Sequence, residues 1–137
     1  AERHRGYRKG LAAAGIEADP ELEAQAETVD EAREAARTLL LRDDPPTAIF
    51  CANNRMSVGA ITAERASGQR VAMVGFDDLE LAEALAVPLT VVRTDAAELG
   101  RAGAQLLLRR MGGWEEPPQR ITLPTALVAR GSGEIAP

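Results

Sequence analysis

The chain has 137 residues, with 16 basic against 21 acidic side chains and a formal net charge of −5. That length suits one domain with its own core, and the acidic balance argues against holding nucleic acid or an anionic membrane by charge alone. One cysteine, Cys51, excludes an internal disulfide and suits a reducing cytoplasm. One histidine, His4, speaks against a histidine-rich metal centre or a Ser/His/Asp triad, and no apolar run nears the ~20 residues of a membrane span.

Residues 2–14 set Tyr7, Leu11 and Ala14 on one helical stripe that stops at Gly15. Thr28 and Glu31 have capping-box spacing, and Ala32, Ala35, Ala36, Leu39 and Leu40 follow at helical intervals up to Arg42. Thr47 to Ala52 is a continuous apolar run, the pattern of a strand buried on both faces. Asn53-Asn54 can cap a third helix bearing Met56, Val58 and Ile61 and ended by Ser67-Gly68. Val71 to Phe76 reads as a second buried strand. The apolar stretch Leu79 to Ala86 predicts a short helix stopped before Pro88, and Leu89 to Arg93 a third strand. Asp95 or Thr94 caps the last helix, which carries Leu99, Ala102, Gly103, Leu106, Leu107 and Met111 to Gly112-Gly113. After the loop-forming stretch Gly112 to Pro118, two more strands are expected, Ile121 to Leu123 and Ala126 to Arg130, separated by Pro124. Helices alternating with buried strands predict an α/β fold with a mostly parallel sheet.

Ligands of open parallel sheets bind beyond the carboxyl ends of the strands. Two polar pairs fall there: Asn53-Asn54 and Asp77-Asp78. Helix capping accounts for one residue of each pair. The other is then available to fix the donors of a hydroxyl- or amide-rich ligand. Arg3, Arg5 and Arg8 form a basic cluster on the first helix, either a solvated face or a partner for such a ligand. Catalytic readings are weaker: adjacent aspartates diverge on a turn, His4 among arginines reads as solvated, and Cys51 inside a strand reads as a small buried hydrophobe. There is no Walker pattern and no G-x-G-x-x-G, so no cofactor is expected.

Five blocks occur in order: Pro46 to Gly59, Val74 to Asp78, Pro88 to Arg93, Glu98 to Gly100 and Leu123 to Ser132. Together they resemble the C-terminal half of the effector-binding region of lactose/galactose-repressor family transcription factors, over essentially the whole chain. The resemblance implies a two-lobed, periplasmic-binding-protein-like (type I) fold, here mainly the second lobe. It also implies a small-molecule effector in the cleft, a sugar or polyol, and a cytoplasmic homodimer that is not an enzyme. Matched position by position, Arg3 corresponds to the arginine that grips the effector, Asn53 to the cleft asparagine and Asp77 to the cleft aspartate. The subunit interface corresponds to Val58, Ile61, Thr62, Arg65, Ala84 and Leu85. Residues 1–87 would form the second lobe, 88–118 a strand and helix crossing into the first, and 119–137 the return strands and tail. Operator DNA would be bound only through a domain outside this chain.

The chain departs from the family pattern in three places. Asn54 stands where an aspartate is usual, Glu27 falls near the position of a stacking aromatic, and the entry to the strand at Val74 is short. A sugar-binding receptor of a transport system shares the implied fold and is the alternative. Against it stand the lack of a visible export signal and the regulator-like ending Leu123 to Ser132.

Overall fold

The computed structural model describes residues 2–80 and 82–136. In chain order these form α1 (Glu2–Ala13), α2 (Val29–Leu40), β1 (Ala48–Cys51), α3 (Asn54–Ser67), β2 (Ala72–Phe76), β3 (Thr90–Thr94), α4 (Ala96–Met111) and β4 (Thr125–Val128). Short 3-10 turns lie at Pro20–Leu22, Ala82–Ala84 and Ser132–Glu134.

The helix starts follow from side chains that satisfy first-turn amides. Thr28 accepts from the Glu31 amide while the Glu31 carboxylate accepts from the Thr28 amide, completing the expected capping box. Asn53 caps α3 and Asp95 caps α4, each through a side-chain oxygen. At the other end of α3, Gly68 takes the left-handed conformation (φ 70°) that stops a helix at no steric cost.

The four strands form one sheet in the order β1-β2-β3-β4. β1, β2 and β3 run parallel, with Ala48 opposite Ala72 and Val74 opposite Thr90. The core lies between this sheet and the α2–α3 pair, and is built from Ala36, Leu40, Cys51, Ala60, Ala63, Val71, Met73, Leu89 and Val91. The two helices meet closely at Gly59. A Cβ there would fall 2.6 Å from the Ala32 Cβ and 2.6 Å from the Arg33 backbone nitrogen.

Two expectations are corrected. Leu79 to Ala86 yields only the 3-10 turn at Ala82–Ala84, with Leu81 outside the described residues. Leu79 and Leu85 instead lie against the core, fixed by tertiary contact rather than by a helix. Ile121 to Leu123 forms no strand, since Pro124 lacks a ladder donor, and the closing strand runs from Thr125. That strand, β4, is antiparallel to β3, with Val91 opposite Val128 and Thr94 opposite Thr125. β3 pairs with β2 and buries Leu89 and Val91 in the same core.

Beyond β3 the chain leaves the core. α4 has no buried residue and exposes Leu99, Leu107, Leu108 and Met111, the last 76 % accessible. The return is anchored by polar groups. The Ser132 hydroxyl donates to the Met73 carbonyl (2.6 Å) and accepts from the Thr90 amide (2.8 Å), while the Arg130 amide donates to the Thr90 hydroxyl (2.9 Å).

Candidate ligand site at the strand ends

The turns after β1 and β2 lie side by side at the carboxyl edge of the sheet, where their polar residues converge. Ala26, Glu27, Asn53, Asn54, Arg55 and Asp77 line an open cavity of about 490 Å³. Asp77 and Asn53 are thus brought together as the sequence suggests, and Glu27 enters from the loop before α2. Glu27 is set on a fixed backbone, its amide donating to the Glu31 carboxylate (2.8 Å).

Arg3 reaches the same edge from α1. Its guanidinium lies 3.8 Å over the Phe76 ring, donates to the Ala52 carbonyl, and stands 3.5 Å from the Asp77 carboxylate. Tyr7, one turn on, stacks with Phe50 at 6.4 Å between ring centroids. Both aromatic contacts seat α1 over the strand ends. The other arginines of the cluster point elsewhere. Arg5 pairs with Glu2, and Arg8 forks onto Glu23 (2.8 and 3.1 Å). His4 is not merely solvated, since its Nε2 lies 2.7 Å from the same Glu23 carboxylate. Hydrogen bonds from Arg8, then from His4, hold the Glu23 carboxyl below its ordinary range.

The paired residues divide their work. Asn53 Oδ1 accepts from the Met56 amide (3.1 Å), so its cap leaves the amide nitrogen as the group open to a ligand. Asn54 donates to the Asp78 carbonyl (3.1 Å), and its buried Oδ1 has no partner among the described residues. Asp78 faces away into a bidentate pair with Arg130 (2.7 and 2.8 Å), with Arg93 at 3.8 Å. The Arg130 hydrogen bonds hold the Asp78 carboxyl below its ordinary value against the opposing effect of burial. Asp77, by contrast, is 41 % exposed and meets only Arg3 among the described residues. Its φ of 69° makes it the one non-glycine at positive φ among them, and its amide donates to the Val92 carbonyl (2.9 Å). Such a backbone costs of order 1–3 kcal/mol and recurs at ligand sites.

Arg130 is the residue that the sequence reading left without a role. It stands within the Leu123 to Ser132 block, but its partner lies 52 positions away, beyond any local spacing rule. Cys51 is buried, its thiol pushed up to about 12 by burial, as expected of a small core residue. No group of three or more potential metal ligands occurs among the described residues. No helix among them is long and apolar enough to cross a membrane. The residues expected at a subunit interface differ in exposure. Val58, Thr62, Arg65 and Ala84 are exposed, while Ile61 and Leu85 lean half-buried against the core.

Comparison with known proteins matches residues 1–133 to the periplasmic binding protein-like domain. The HTH-type transcriptional regulator CelR of Thermobifida fusca is 40 % identical, over 96 % of this chain and 40 % of its own length. The HTH-type transcriptional repressor CytR of Escherichia coli K12 is 31 % identical, over 98 % of this chain and 41 % of its own. Among solved structures, a CelR–cellobiose complex superposes with a TM-score of 0.88 at 40 % identity, covering 96 % of this chain and 42 % of that one. The chain therefore spans about two fifths of the length of these curated relatives.

Proposed function

The chain belongs to the periplasmic binding protein-like family, in the form carried by lactose/galactose-repressor regulators, and from that premise we propose that it is the effector-binding part of a DNA-binding transcriptional regulator that senses a small saccharide. The observation that carries this reading is the convergence of Asp77 and Asn53 on one cavity at the carboxyl ends of parallel strands, with the Arg3 guanidinium 3.5 Å from Asp77. Asp77 accepts from sugar hydroxyls, the Asn53 amide donates, and Arg3 supplies a planar fork of guanidinium donors. The cellobiose bound by the similar CelR structure supports a saccharide over an apolar effector.

In this reading the cavity is half of a cleft. α4, bare of core contacts, belongs with an opposing first lobe, and the ligand bridges the two. A ligand shifts the equilibrium between open and closed lobes only by its difference in affinity for the two states. Closure is read by a second copy of the regulator through the patch around Val58, Ile61, Thr62, Arg65, Ala84 and Leu85, and operator affinity changes with it. The regulator works in the cytoplasm, where its DNA is.

Isothermal titration of the full-length protein with cellobiose and a panel of mono- and disaccharides tests the reading, together with operator binding with and without the tightest of them. Saturable sugar binding that changes operator affinity is the expected result. No heat from any saccharide overturns the effector class, and binding with no operator at all points to a transport receptor.

A further inference from the structure

Asp77 holds a backbone conformation that a side chain disfavours, and such a conformation persists only where the surroundings over-determine it. The restraints on its turn can be traced. The Asp77 amide is tied to the Val92 carbonyl at 2.9 Å, and the next carbonyl, that of Asp78, is tied to the Asn54 side chain at 3.1 Å. The strongest restraint comes from the far end of the chain, where the Arg130 fork grips both oxygens of Asp78 at 2.7 and 2.8 Å.

Arg130 is itself well fixed. Its side chain is only 13 % exposed, its guanidinium also donates to the Leu89 carbonyl (3.3 Å), and its amide is held by the Thr90 hydroxyl. The fork approaches Asp78 rather than the cavity, and Arg130 is not among the residues that line it. We infer that Arg130 is a positioning residue of the effector site: by clamping Asp78 it fixes the turn that aims Asp77 at the ligand, and so sets effector affinity without touching the effector.

This inference rests on the reading of Asp77 as an effector contact, and a double-mutant cycle separates it from a general loss of fold. In the full-length protein, Arg130→Gln should weaken binding of cellobiose, or of the tightest saccharide in the panel, by roughly tenfold, within the coupling expected inside one network. Arg130→Lys keeps the charge and loses the fork, and should recover part of the loss. With Asp77→Ala already present, Arg130→Gln should cost no further affinity, while its effect on the thermal midpoint should be the same in both backgrounds. An equal loss of affinity in both backgrounds overturns the inference, as does unchanged affinity in a folded Arg130→Gln protein.

A ligand-free measurement keeps the two readings distinct. Amide exchange by mass spectrometry over the peptide from Val74 to Glu80 should quicken in Arg130→Gln while the buried β3 peptide keeps its protection. Unchanged exchange in that turn overturns the clamp even if no saccharide binds, and quickened exchange in a protein that binds no sugar overturns only the effector class.

Discussion

At position 77 the proposed ligand site calls for a carboxylate, while the backbone favours a glycine. With φ at 69°, an alanine there meets the Cβ penalty without aspartate's local compensation, whereas a glycine meets none. Asp77→Gly and Asp77→Ala should therefore lose effector affinity alike, by at least about tenfold or ~1.4 kcal/mol. They should part in stability, the glycine variant being the firmer by about 1 kcal/mol. Titration and denaturant melts of the full-length variants check both halves, and equal stabilities would show that the turn does not constrain this residue. Its neighbour shows how firmly such a site is held. Because Arg130 lowers the folded-state pKa of Asp78, the ionised form favours the folded chain. That contribution is fully present above the unfolded carboxyl's value of about 3.9 and is lost as pH falls through the lower folded value. Asp78→Asn should thus lower the thermal midpoint at pH 7, and the gap to wild type should narrow as melts are taken toward pH 3. A gap of constant width would mean that the pair adds no pH-dependent stability.

The α2–α3 contact is the firmest joint between elements, and Gly59 is the reason it closes. An added Cβ would lie 2.7 Å from the Val29 carbonyl as well as against Ala32 and Arg33, mostly backbone that cannot swing aside. Gly59→Ala should cost about 1–3 kcal/mol by overpacking. Gly103→Ala in α4, where nothing lies within 4 Å, should gain about 0.5–1 kcal/mol from helix propensity. Chemical melts of the two variants test the contrast, which fails if both shift the same way. Elements with local punctuation were legible from residues alone: Thr28 with Glu31, Asn53, Asp95 and Gly68 mark helix ends by chemistry that acts within one turn. What failed lacks a local cause. The Leu79 to Ala86 stretch is apolar because Leu79 and Leu85 touch the core, not because it winds a helix. That Asp77 and Asn53 share a cavity was legible because strand ends and turn chemistry are local. The Arg130 clamp was not, because only the folded sheet brings positions 78 and 130 together.

For the molecule as a whole, the body and α4 are held by very different amounts of surface. The body buries Leu40, Val71, Leu89 and Val91, whereas α4 leaves Leu99, Leu107, Leu108 and Met111 more than half exposed. Apolar surface in water costs about 25 cal/mol per Å². The 137-residue chain by itself should therefore self-associate through α4, and Leu107→Glu with Leu108→Glu should return it to monomer. Sedimentation velocity at high micromolar concentration decides the point, and a strict monomer with native leucines would count against it. β3 and β4 give the excursion a common root. Thr94 and Thr125 face each other on one rung of the ladder, so everything between them departs and returns at a single place on the sheet. The sheet can be spliced at that rung. An Asn-Gly pair in place of residues 95–124 would join the facing strands as an ordinary two-residue hairpin. What remained would be a miniature receiver, with its parallel strands and the Asp77 turn intact and no greasy arm to hide.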